Sequence, residues 1–147
     1  MFGSEPSYSA KIALENFKEN NVKHIIELGA GLGRDTIFFA KNSIKVTALD
    51  YSPTAVEIIK NKSNSLGLND LIEVQTHDLR QKLNFKDDSV AGCYSHMLYC
   101  MAFTNENLQK LNSEILRILK PGGYNIYTAR HTEDGDFKNG IHRGEDL

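Results

Sequence analysis

The chain of 147 residues is long enough for one domain around one hydrophobic core. Its 17 basic and 19 acidic residues leave a net charge of -2 with no block of either sign, so the basic stripe expected of a nucleic-acid binder is missing. No run approaches the roughly 18–20 apolar residues that cross a bilayer, and Met1–Pro6 lacks the basic start and apolar stretch of a secretory signal, which predicts a cytoplasmic protein without a membrane partner.

Ala10, Ala13, Leu14 and Phe17 recur at helical spacing after Pro6 and Ser7, predicting a first helix over 7–19. His24 to Leu28 is an apolar strand that runs into Gly29-Ala30-Gly31-Leu32-Gly33, and a helix follows over 34–42. Lys45 to Leu49 is the second strand. Ser52 is a favoured N-cap and Pro53 suits the first helical position, so a third helix starts there with Ala55, Ile58, Ile59 and Leu66 on its apolar face and Gly67 at its end. Ile72 to Thr76 and Ser89 to Tyr94 are strands three and four. Between Cys93 and Cys100 the spacing fits no zinc site, so both are expected to be reduced, half-buried thiols, and no metal is expected. Thr104 caps a helix lined by Leu108, Leu111, Ile115 and Leu119, Pro121-Gly122-Gly123 stops it, and Tyr124 to Ala129 is strand five. Strands alternating with helices predict an α/β fold with a parallel sheet and helices on both faces. The domain is expected over residues 1–130, with 131–147 a polar loop or tail.

The glycine run carries the chemistry. Glycines let the backbone turn tightly and approach a ligand, and the helix starting near Arg34 aims its positive dipole end and free N–H groups at whatever lies on the loop. An anionic group, a phosphate or an amino-acid carboxylate, is expected there. A dinucleotide loop reads G-x-G-x-x-G and would place its third glycine at position 34, which is Arg34; here the glycines fall at 29, 31 and 33. That spacing argues against a nicotinamide-dependent oxidoreductase. Asp50 ends strand two, where α/β nucleotide sites place an acid to accept ribose hydroxyls.

Glu27-Leu28-Gly29-Ala30-Gly31-Leu32-Gly33, with Asp50, His77-Asp78-Leu79 and Leu119-Lys120-Pro121-Gly122-Gly123, resembles the Rossmann-like (class I) S-adenosylmethionine-dependent methyltransferases. The opening Phe2-Gly3-Ser4-Glu5-Pro6-Ser7 is similar to the start of the small-molecule tellurite-resistance and thiopurine type. The resemblance implies S-adenosyl-L-methionine as cofactor, held by Glu27, Gly29, Ala30, Gly31, Gly33, Asp50, Tyr51, Ser52, His77, Asp78, Leu79 and Ser95. Tyr51 would lie against the adenine ring and Asp78 would take its amino group. It also implies an in-line methyl transfer to a small-molecule acceptor. The chemical step needs alignment above all, and a base only where the acceptor must lose a proton. His96 is the candidate base, and Tyr8, Tyr99, Arg130 and His131 are candidate acceptor contacts, Tyr8 from an N-terminal lid. A non-catalytic cofactor-binding domain is the alternative. The family's sheet has seven strands, the last two an antiparallel hairpin beside strand five. Only five are recognisable here, so a fragment or a short variant is expected, with strand 124–129 left as an edge for self-association.

Overall fold

The computed structural model describes residues 5–131 and 133. The chain runs α1 (Tyr8–Glu19), β1 (His24–Leu28), α2 (Arg34–Lys41), β2 (Lys45–Asp50), α3 (Pro53–Ser65), β3 (Ile72–Thr76), β4 (Val90–Ser95), a short 3-10 turn (Leu98–Cys100), α4 (Asn105–Ile118) and β5 (Leu119–Tyr127). Helix starts follow the capping residues: the side chains of Ser7, Ser52 and Thr104 accept from the amides of Ala10, Ala55 and Asn107. At Thr104 the Asn107 side chain returns the bond, completing a capping box.

The five strands form one sheet in the order β3-β2-β1-β4-β5, every neighbouring pair parallel. Alternation along each strand splits the core in two. Ile25, Val46, Ala48, Val74 and Tyr94 face α1, α2 and α3, packing with Ala10, Phe17, Phe39 and Ile59. Ile26, Leu28, Cys93 and Val90 face the other way, onto Leu111, Ile115 and Ile118 of α4. Helices therefore cover both faces, as expected. Phe39 and Tyr94 meet edge to face with centroids 4.9 Å apart.

Several boundaries differ from the sequence expectation. α3 buries Ala55, Val56, Ile59 and Ser63, and Leu66 is 47% exposed, so its apolar face is rotated from the expected set. Pro121-Gly122-Gly123 does not precede strand five but bulges within it. Val90 pairs with Leu119 and Gly92 already with Tyr124, so Lys120–Gly123 loops out between two ladder contacts. Gly122 sits at φ 77, where a side chain would be strained. β5 ends at Tyr127, short of Thr128 and Ala129. Cys93 is fully buried and Cys100 exposed, so neither is half-buried. The lid residues Phe2–Ser4 and most of the expected tail lie outside the described residues.

After β1 the chain builds outward through β2 and β3, then returns to place β4 and β5 on the other side of β1. This reversal opens a crevice at the carboxyl ends of β1 and β4, the place where open parallel sheets bind ligands.

Candidate functional site

The loop after β1 is tied to β2 before any ligand is considered. Leu49 O accepts from the amides of Gly29 (2.8 Å) and Ala30 (3.1 Å). Asp50, 7% exposed, accepts the Gly31 amide at Oδ2 (2.7 Å) and the Ser52 amide at Oδ1 (2.9 Å). A carboxylate offers about four acceptor sites, so two remain for a ligand's donors. Asp50 thus fixes the shape of the glycine loop as well as standing at the strand end where the sequence put it.

The three loop glycines have different reasons to be glycine. All sit at positive φ, 73, 56 and 77 at positions 29, 31 and 33. A Cβ on Gly33 would lie 2.7 Å from Ile59 Cγ1, so this glycine lets α2 start against α3. A Cβ on Gly31 would meet nothing within 4 Å. Open space over Gly31 is where a ligand can lie along the loop.

A cavity of about 150 Å³ sits in the crevice, lined by Glu27, Gly29, Ala30, Gly31, Leu32, Arg34, Asp35 and His96. Glu27 is buried, with the Thr36 hydroxyl donating to its Oε2. Burial, more than any neighbour, raises its pKa to about 8; Asp35 and Asp50 add to the rise, while Thr36 and Arg34 oppose it. Asp35 is also buried, but bonds from the Ser7 amide, the Ser7 hydroxyl and the Tyr94 hydroxyl outweigh the desolvation and hold it below its ordinary range. The cavity therefore has a neutral acid at one side and a charged one at the other, with the Arg34 cation beside them. His96 has its pKa lowered, by burial first and by Arg34, against the pull of Asp35. A larger depression of about 540 Å³ lies between Leu79–Lys82 and α4, and no residue of the glycine loop lines it.

The remaining expected contacts divide. Tyr51, the residue after β2, is 72% exposed. His77 continues the β2–β3 ladder through its amide to Asp50 O (2.8 Å), and its Nε2 is buried without a partner among the described residues. Asp78 is engaged by Arg80 through Nη2 (2.7 Å) and Nε (2.9 Å), which lowers its pKa to about 2. The Ser52 hydroxyl accepts from the Ala55 amide, its own amide donates to Asp50 and its carbonyl accepts from Val56. Leu79 belongs to the core under α4, and Ser95 is 1% exposed. Among the acceptor candidates only His96 lines the cavity. Tyr8 is 79% exposed at the start of α1. Tyr99 packs on Tyr127 with centroids 4.8 Å apart and donates to Asn112, while the Arg130 amide reaches Cys100 and His131 Nδ1 accepts from the Glu133 amide.

The sequence reading missed Asp35, which lines the cavity, and Tyr94, Ser9 and Thr128, which are hydrogen-bonded to Asp35 or His96 behind it. Two signals pointed to them: an acid two residues past the last loop glycine, and a tyrosine at the apolar end of β4. Among the described residues, no group of three or more His, Cys, Asp or Glu could hold a metal ion, and no helix is long and apolar enough to cross a membrane.

A protein-family model for the methyltransferase domain matches residues 25–123. A sterol 4-C-methyltransferase of Caenorhabditis elegans is 31% identical over 120 residues, covering 81% of this chain and 35% of that protein. Phosphoethanolamine N-methyltransferase 1 of Triticum aestivum is 34% identical over 121 residues, covering 81% of this chain and 24% of that protein. The chain thus spans about a third or less of these relatives' lengths. A SAM-dependent methyltransferase from Aquifex aeolicus superposes with a TM-score of 0.67 at 25% identity, over 83% of this chain and 65% of that one.

Proposed function

The chain belongs to the methyltransferase domain family, the Rossmann-like class that uses S-adenosyl-L-methionine, and from that membership we propose that its crevice binds this cofactor for methyl transfer to a small-molecule acceptor. The observation that carries the reading is the loop itself: Gly31 lies under open space while Asp50 pins its amide from the neighbouring strand. Small-ligand pockets run to roughly 300–1,000 Å³, so the cavity of about 150 Å³ takes one end of the cofactor only. Its lining, with buried Glu27 beside the Arg34–Asp35 ion pair, is polar enough to suit the zwitterionic amino-acid end. The nucleoside end would then run past Gly31 to Asp50, with the exposed Tyr51 against the base. Asp78 reaches adenine only if it leaves Arg80.

The bound cofactor supplies an electrophilic methyl carbon on a sulfonium. The protein's share is to bind, to keep the acceptor in line, and to take a proton where the acceptor carries one. His96, neutral and lining the cavity, is placed for that last task.

Titration calorimetry with S-adenosylhomocysteine and, separately, NAD tests the proposal. Binding of the former only is expected, and Asp50→Ala should weaken it roughly tenfold to a hundredfold through the loss of charge-assisted bonds worth about 1.5–3 kcal/mol each. Binding of NAD alone would remove the methyltransferase reading. Wild-type affinity in Asp50→Ala would reduce Asp50 to a turn residue.

A further inference from the structure

Behind the cavity runs a connected set of polar side chains between α1, α2, β4 and the end of β5. Asp35 Oδ2 accepts from the hydroxyls of Ser7 (2.7 Å) and Tyr94 (3.0 Å). The Ser9 oxygen lies 2.9 Å from the Tyr94 oxygen and 3.0 Å from His96 Nδ1. His96 Nδ1 is also 3.1 Å from Thr128 Oγ1, which accepts the Met97 amide at 2.9 Å. Met97 itself is held at φ 59, a left-handed conformation that a non-glycine residue keeps only when its surroundings impose it. Both sides of the imidazole's Nδ1 are thus clamped. Nε2, across the ring, makes no hydrogen bond with a described residue, and the ring lines the cavity.

Counting protons gives the chain a direction. An ionised carboxylate only accepts, and each hydroxyl has one proton to give. Asp35 takes the protons of Ser7 and Tyr94, so both oxygens are left as acceptors. Ser9, 3.0 Å from Ser7 Oγ and 2.9 Å from Tyr94, turns its proton toward that polarised pair. Its oxygen is then an acceptor toward His96, which calls for Nδ1–H; Thr128 Oγ1, already accepting the Met97 amide, accepts that same proton and turns its own hydroxyl away from the ring.

We propose that Asp35, Tyr94 and Ser9 are positioning residues that keep the proton of His96 on Nδ1, leaving Nε2 bare toward the cavity as the proton acceptor of the transfer. The inference rests on the methyltransferase reading above. In the step it serves, the acceptor atom's bond to the methyl carbon forms as the carbon–sulfur bond breaks. The electron pair of that bond returns to sulfur, and the acceptor's proton passes to Nε2. The charged groups facing the ring are Asp35 and Arg34 of α2, with Glu27 of β1 lining the same cavity. A carboxylate that fixes an imidazole tautomer without taking the proton is the logic of the serine-hydrolase triad. Here it acts through two hydroxyls.

The tautomer is directly measurable. Nitrogen-resolved NMR of His96 in the full chain, assigned with His96→Asn and recorded in mildly alkaline buffer, should show Nδ1 protonated and Nε2 bare. Tyr94→Phe keeps the ring packed on Phe39 and removes only the hydroxyl, and Ser9→Ala removes the next link; each should invert the ratio toward Nε2–H. A wild-type proton on Nε2, or a ratio unmoved in both variants, would overturn the relay. Calorimetry with S-adenosylhomocysteine on the same samples keeps the two readings apart. Binding with the wrong tautomer sinks the relay alone, whereas the right tautomer without binding sinks the methyltransferase reading alone.

Discussion

Glu27 shows how much a single residue's meaning depends on its surroundings. In the sequence it is an acid two places before a glycine; in the fold it is a buried acid with two other carboxyl groups nearby, steadied by a threonine hydroxyl and the more distant Arg34 charge. Its pKa, raised to about 8, has a consequence for stability. Between its ordinary value and about 8 the folded chain holds a proton that the unfolded chain has lost. Stability from this group is therefore full below the unfolded value and falls as pH rises through about 8. Across that window each pH step of one costs about 1.4 kcal/mol per proton held, so the slope should be visible. Glu27→Gln keeps an acceptor for Thr36 and has no proton to lose. Its denaturant midpoint should lack the decline that the wild type shows between the ordinary glutamate value and about 8, and parallel curves over that window would mean that the carboxyl is not proton-bound in the native state.

At the scale of elements, what the sequence made readable was what depends on neighbours along the chain. Ser52 and Thr104 cap the helices they were expected to cap, and Ser7, expected inside the first helix, caps it, because a side chain reaching an amide three residues on needs no tertiary information. The five strands stood out as apolar runs because a parallel sheet covered on both faces demands them. The bulge at Lys120–Gly123 was not readable, since a proline and two glycines mark a turn equally well before a strand or inside one. Nor was the polar wall from Asp35 to His96, which joins residues 28 to 87 positions apart in sequence. Spacing identified the glycine loop but not the separate duties of its members. Gly33→Ala should cost about 1–3 kcal/mol, from a positive φ and a 2.7 Å contact with Ile59 that must relax. Gly31→Ala meets open space and carries the φ strain alone, so it should cost less stability. Urea unfolding of the two variants checks the order, and Ile59→Ala should recover part of the Gly33→Ala loss. Equal costs would mean that packing against α3 is not what selects glycine at position 33.

At the scale of the whole molecule the outer strand of the sheet is the feature left to explain. Among the described residues β5 pairs only with β4, so one side of its backbone has no strand partner. The Thr128 amide bonds Ser95 O, and amides alternate sides along a strand, so Ile126 and Tyr124 point inward to β4 while Asn125 and Tyr127 point outward. Tyr127 is 54% exposed, and neither proline nor charge interrupts 124–127. An edge of that kind is a template for another chain. We propose that this chain self-associates through β5. Changing Ile126 to a charged residue would confuse the test, because Ile126 packs against the core on the α1 face. Asn125→Pro is the cleaner variant: it deletes an outward N–H while leaving the inward ladder to β4 intact, and proline is tolerated on edge strands for that reason. Sedimentation should show a concentration-dependent dimer for the wild type and a monomer for Asn125→Pro, with S-adenosylhomocysteine binding retained in both. A wild type that stays monomeric, with the outward amides of Asn125 and Tyr127 slow to exchange, would show that this edge is already covered from within the chain.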